Sequence, residues 1–142
     1  MTDGSTITLR VMKSTWGISI RLTARLIDDE SKSSQYFVTD KIGLSTNSIG
    51  IKLVEEEILM LTSGLRWVSN EIEKRIEPDK FVVIELVKVE FAEADFQSEG
   101  LYYGIATWAS EHFDFTLPNY EVHFDKRENK YKFPDIELRE GN

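Results

Sequence analysis

The spacing of apolar residues changes period near residue 51, and that change demands two kinds of secondary structure in one chain. Before it, Ile18, Ile20, Leu22, Ala24 and Leu26 alternate with Ser19, Arg21, Thr23 and Arg25. Successive side chains of a strand point to opposite faces, so this segment reads as a half-buried β-strand. After it, Val54, Ile58, Leu61, Leu65, Val68 and Ile72 are spaced by four, three, four, three and four residues. Only a helix gathers that spacing onto one face. An all-β or all-α fold is thereby excluded.

The remaining segments take their places around these two. Ile7, Leu9 and Val11 alternate with Thr8, Arg10 and Met12, the Trp16-Gly17 step marks a turn or bulge, and the short connection to the next strand predicts a hairpin. "DDESKSSQ" (28–35) is a solvated loop, and "YFVTD" (36–40) is a short third strand. "KIGLSTNSIG" (41–50) reads as a loop leading into the helix. Glu55, Glu56 and Glu57 fall in the first helical turns and Lys74 and Arg75 in the last, both with the sign that the helix dipole favours, and Pro78 follows. Gly64 inside the pattern costs about 1 kcal/mol relative to Ala, which points to a kink or to close packing.

"FVVIELVKVEF" (81–91) is apolar on both faces at its start, as a central strand is, and returns to alternation at Lys88 and Glu90. Leu101, Ile105, Trp108 and His112 have helical spacing, with Ala106 and Ala109 as small packing residues, and Leu117-Pro118 ends the segment. "YEVHF" and "KYKF" alternate as strands around the hairpin loop "DKREN" (125–129). A tail from about residue 135 to 142 is expected to fray. The order β-β-(β)-α-β-α-β-β predicts an α+β fold, with two helices packed on one face of a largely antiparallel or mixed sheet. Leu61, Leu65, Val83, Ile105 and Trp108 are the expected core.

The 142 residues fit a single domain spanning 1–142. A chain of this length buries roughly 70% of its unfolded surface, so it folds without disulfides or metals. Cysteine is absent, which excludes a disulfide framework, thiolate metal sites and a cysteine nucleophile. No apolar run approaches the roughly 20 residues that span a bilayer, and "MTDGSTITLR" carries no apolar signal core. The expected compartment is the cytoplasm, with no membrane association. Acidic residues number 25 against 17 basic ones, for a net charge of −8. Such a field opposes general nucleic-acid binding and favours a basic partner.

Candidate chemistry is sparse. His112 and His123 are the two histidines, and they form neither an HExxH nor an HxH pattern. Strict alternation places Glu121, His123 and Asp125 on one face and Tyr120, Val122 and Phe124 on the other. Glu55, Glu56 and Glu57 point three ways around a helix and make no paired site. Asp95 and Glu99 flank a corner and would form an acid–base pair if they met. The same corner reads as a helix start, with Ser98 as N-cap and Glu99 favouring the dipole. "GLSTNSIG" lacks the ending of a phosphate-binding P-loop, and no GxSxG elbow occurs. Of Tyr102 and Tyr103, at least one is expected to face outward, since adjacent helical residues differ by about 100°. No cofactor or metal is expected.

"VEEEILMLTSGL", "FVVIELVKVEF", "ADFQSEGLYYGIATWASEHF" and "LPNYEVHF" follow one another in an order that resembles domain IV of elongation factor G, in the ribosomal protein S5 domain 2-like group. The resemblance covers about half the chain and implies a fold: a long helix, a valine-rich strand, a polar corner opening a second helix, and a further strand. The ribosomal function is not carried over, because fold does not dictate function and the net charge does not suit ribosomal RNA. The leading expectation is a non-catalytic protein-binding domain, of the immunity type that neutralises a basic toxin. Glu55, Glu56, Asp95, Glu99, Tyr102 and Tyr103 are its candidate contact residues. A translation-associated module and a small enzyme using carboxylates or histidine are the alternatives.

Overall fold

The computed structural model describes residues 4–12, 17–28, 36–49, 52–91, 99–118, 123–125 and 130–132. The two halves of the period-2 region pair as predicted. β1 (Ser5–Met12) and β2 (Gly17–Asp28) form an antiparallel hairpin in which Met12 faces Gly17 and Ser5 faces Ala24. Their alternation sends Ile7, Leu9, Ile20, Leu22 and Ala24 into the core. Thr6 and Thr23 share the other face, where their hydroxyls hydrogen-bond at 2.7 Å.

The segment expected to be a loop before the first helix contains a strand instead. β3 (Tyr36–Phe37) turns through residues 38–41 into β4 (Ile42–Ser45), and all four residues of β4 are buried. A strand this short shows too few alternations to be read from its spacing, and Gly43 and Ser45 give it the composition of a turn. β4 runs parallel to β5 (Val82–Phe91), and helices supply the crossover between them. The sheet is therefore mixed, with strand order β1-β2-β5-β4-β3.

β5 carries a bulge that explains its odd pattern. Val82, Ile84 and Leu86 point into the core, and continued alternation would send Lys88 and Glu90 in behind them. The pairing with β2 instead steps from Ala24–Leu86 to Thr23–Lys88, which leaves Val87 without an opposite residue. One extra residue reverses the parity. Val89 then packs against the core, while Lys88 and Glu90 are exposed.

The long helical stripe is broken into two pieces. α1 spans Glu55–Trp67 and α2 spans Ser69–Glu73, with Val68 at φ −109° between them. The Ser69 hydroxyl donates to the Arg66 carbonyl at 2.9 Å. That bond satisfies one backbone carbonyl at the break. The apolar face nevertheless persists across the break, with Leu61, Leu65, Val68 and Ile72 all buried.

α3 (Glu99–Phe113) lies over β1 and β2 and packs along α1, so the two long helices share one layer. Trp108 is fully buried, and its Nε1 donates to the Ser5 carbonyl at 3.1 Å, tying α3 to the first residue of β1. α3 ends with Asp114 in the left-handed region at φ 60°, and the Phe115 N–H donates back to the Ser110 carbonyl at 2.9 Å. That is a Schellman closure, with Asp in the position that glycine usually takes. All five expected core residues are buried. β6 (His123–Asp125) and β7 (Lys130–Lys132) pair antiparallel as a separate two-stranded sheet. The expected fraying of the tail falls outside the described residues.

Candidate interaction surface

The start of α1 is built without a side-chain N-cap. Val54 holds the extended N-cap conformation, at φ −79° and ψ 163°. Valine offers no acceptor, so no side chain at this position caps the first N–H groups. The bond that forms runs the other way: the Val54 N–H donates to Glu57 Oε1 at 2.9 Å. This is the reciprocal half of a capping box, and it occupies Glu57. Glu55 and Glu56 remain exposed, and no ion pair among the described residues involves either.

Val54 itself is 60% exposed. Its place in the apolar stripe predicted burial, and the structure corrects that: the stripe begins a turn before the helix reaches the core, and Ile58 is already half-buried. Sequence reasoning missed Val54 as a surface residue. The signal lay in its position, since an aliphatic residue stands where Ser, Thr, Asp or Asn is ordinarily found. Val54 and Phe37, at 55%, are the exposed large hydrophobic residues among those described.

The two tyrosines behave differently from expectation. Both are buried, Tyr102 at 5% and Tyr103 at 3% exposure, so neither faces outward. A helix with a free side leaves one of two adjacent residues exposed. α3 is covered by the sheet on one side and by α1 on another, where Trp67 at the end of α1 reaches both tyrosines. Its ring stacks on Tyr102 at 5.4 Å and meets Tyr103 edge-on at 5.6 Å. These rings belong to the core and present no docking surface.

Asp95 and Ser98 lie outside the described residues, so the proposed cap and the proposed carboxylate pair fall outside them too. Glu99 is the first residue of α3 and is half-buried. His112 stands at the opposite end of the same helix, about 20 Å away along the axis at 1.5 Å per residue. The two therefore cannot act on one reacting atom. The His112 ring stacks on Trp108 at 4.8 Å and meets Phe113 at 4.9 Å. The helix carboxyl end favours a protonated imidazole. Partial burial lowers the His112 pKa below its ordinary value. His123 lies in β6.

Three further charged groups serve the fold. Arg25 pairs with Glu85 across β2 and β5, on the sheet face away from the helices. Arg75 and Lys74 pair with Glu71 on α2, and the Arg75 hydrogen bond is the main reason that the Glu71 carboxyl lies below the usual range. Arg66 reaches from α1 to the sheet edge. Its Nε donates to the Val38 carbonyl at 2.9 Å and its Nη2 to the Phe37 carbonyl at 2.8 Å, while Nη1 is buried with no acceptor among the described residues. Burial lowers the Arg66 pKa, and no change at working pH follows for a guanidinium. Among the described residues no group of His, Asp and Glu is arranged to hold a metal ion. No helix among them is long and apolar enough to cross a membrane. Comparison with protein families, characterised proteins and solved structures finds no match for this chain.

Proposed function

We propose that the chain is a non-catalytic protein-binding domain that meets a basic partner through the start of α1. The observation that carries this reading is the exposed Val54 beside the exposed carboxylates of Glu55 and Glu56. An apolar anchor yields affinity when a partner removes it from water, and flanking charges orient the encounter and speed it. The surplus of acids, with a net charge of −8, draws a cationic partner over a longer range. A basic toxin of the nuclease class fits best. A protein that binds phosphate backbones must present a cationic cleft, and carboxylates on this chain would occupy it as an immunity-type inhibitor.

The test is site-specific photo-crosslinking in cells, with a photoreactive residue at position 54 and a control at Lys88, exposed on β5. The reading expects a basic protein attached at position 54 and not at position 88. Equal attachment at both positions, or none at 54, would contradict it. A translation-associated module is the second reading. It rests on the chain order of α1, β5, α3 and β6, which is the order that the resemblance to elongation factor G domain IV requires. Co-sedimentation with ribosomes would favour it over the first.

A further inference from the structure

We propose that β1 pairs with β1 of a second copy of this chain, antiparallel about a two-fold axis at Thr8. Among the described residues the five-stranded sheet ends in β1 on one side and β3 on the other. The two ends differ. β3 has two residues, and Arg66 takes the carbonyls of Phe37 and Val38. A short strand with occupied carbonyls is a protected edge. β1 has eight residues, "STITLRVM", with no proline. The register shift in the sheet falls between β2 and β5, so β1 pairs with β2 without a bulge. Among the described residues β1 has neither the shortness, the proline nor the bulge that blunts a sheet edge, and Arg10 is its one charged residue.

The sequence of β1 complements itself in the antiparallel sense. With the axis at Thr8, Thr8 stands opposite Thr8 of the second copy, Ile7 opposite Leu9, and Thr6 opposite Arg10. No charged residue faces another charged residue. Ile7 and Leu9 are buried on the helix side, whereas Thr6 and Thr8 are exposed on the other, so each face continues its own character across the junction. A one-residue slip would break that match. A two-fold axis perpendicular to the sheet keeps both helical layers on the same side. α3, which lies over β1, would then approach its counterpart and add area to the strand contact.

The absence of cysteine makes the test direct. In Thr8→Cys the two thiols stand at the axis, at a pair of positions that a disulfide can bridge. In Thr6→Cys they stand about four residues apart along the strands, roughly 13 Å, beyond disulfide reach. We expect mild oxidation to yield a covalent dimer from Thr8→Cys and none from Thr6→Cys. Sedimentation equilibrium of the unmodified chain should show a dimer. Thr8→Lys, at an exposed position, should weaken that dimer by about fivefold by placing like charges opposite each other, with the melting curve of the monomer preserved. A chain that stays monomeric into the high-micromolar range, a dimer that Thr8→Lys leaves intact, or equal oxidation of both cysteine variants would overturn the proposal.

Discussion

Gly64 of α1 lies against the carbonyl of Tyr102 in α3 so closely that a Cβ at position 64 would stand 2.4 Å from that oxygen and 3.0 Å from Ile105 Cγ2. Glycine is needed here for close approach, and its backbone angles are ordinary for a helix. Of the two meanings that a glycine inside a helical stripe can have, kink or close packing, the structure selects packing.

Gly64→Ala should therefore destabilise the protein although alanine is the better helix former. The propensity gain of about 1 kcal/mol is opposed by a clash with backbone, which cannot rotate away as a side chain can. A net loss of about 1–3 kcal/mol is expected in urea unfolding. A stabilised variant would mean that the two helices are not in contact at this point.

Leu65, the next residue, is fully buried within the same core. Truncation to alanine removes its packing and leaves a cavity, and about 2–5 kcal/mol should be lost. A loss below about 1 kcal/mol would place Leu65 outside the core.

Arg66 holds the short edge strand β3 to α1 through two carbonyls. Arg66→Met keeps most of the aliphatic stem and removes both bonds, so about 1–3 kcal/mol is expected, together with faster amide exchange at β3 and the outer edge of β4. Unchanged exchange there would show that Phe37 and its neighbours are held by other contacts.

Much of this architecture was legible in the spacing of apolar residues. The β1–β2 hairpin, the apolar face of α1 and the buried face of α3 each span enough residues for a period to emerge. What escaped detection was local. β4 is four residues long and carries Gly43 and Ser45, so a buried strand looked like a loop. The break at Val68 leaves the apolar face intact and therefore leaves no trace in its period. The bulge at Val87 is a pairing event between two strands and belongs to neither alone. At the candidate surface, the exposure of Glu55 and Glu56 followed from their place in the first turn. The burial of both tyrosines did not follow, because it depends on Trp67 arriving from another helix.

The pH dependence should carry a signature of His112. Its folded pKa lies below the ordinary 6.5 because the ring is partly buried, stacked on Trp108. The unfolded chain therefore binds a proton more readily than the folded one. The contribution to stability is complete above about pH 6.5 and is lost as pH falls through the lower folded pKa. His112→Phe keeps an aromatic ring and does not titrate, so its unfolding free energy should fall less steeply between about pH 7 and 5 than that of the parent chain. Proton NMR should show the imidazole titrating below 6.5. Titration above that value would mean that the helix carboxyl end dominates after all.

The central claim is that the start of α1 recognises a basic protein, and affinity measured by titration calorimetry tests it most directly. The partner recovered by crosslinking at position 54 would be titrated with the parent chain and with the double variant Glu55→Lys, Glu56→Lys, over a range of salt concentrations. Both substituted residues are exposed, so the fold should persist. The account predicts an affinity for the parent chain that weakens as salt rises, and a loss of at least about tenfold in the variant at low salt. Equal affinity for the two chains, independent of salt, would contradict it.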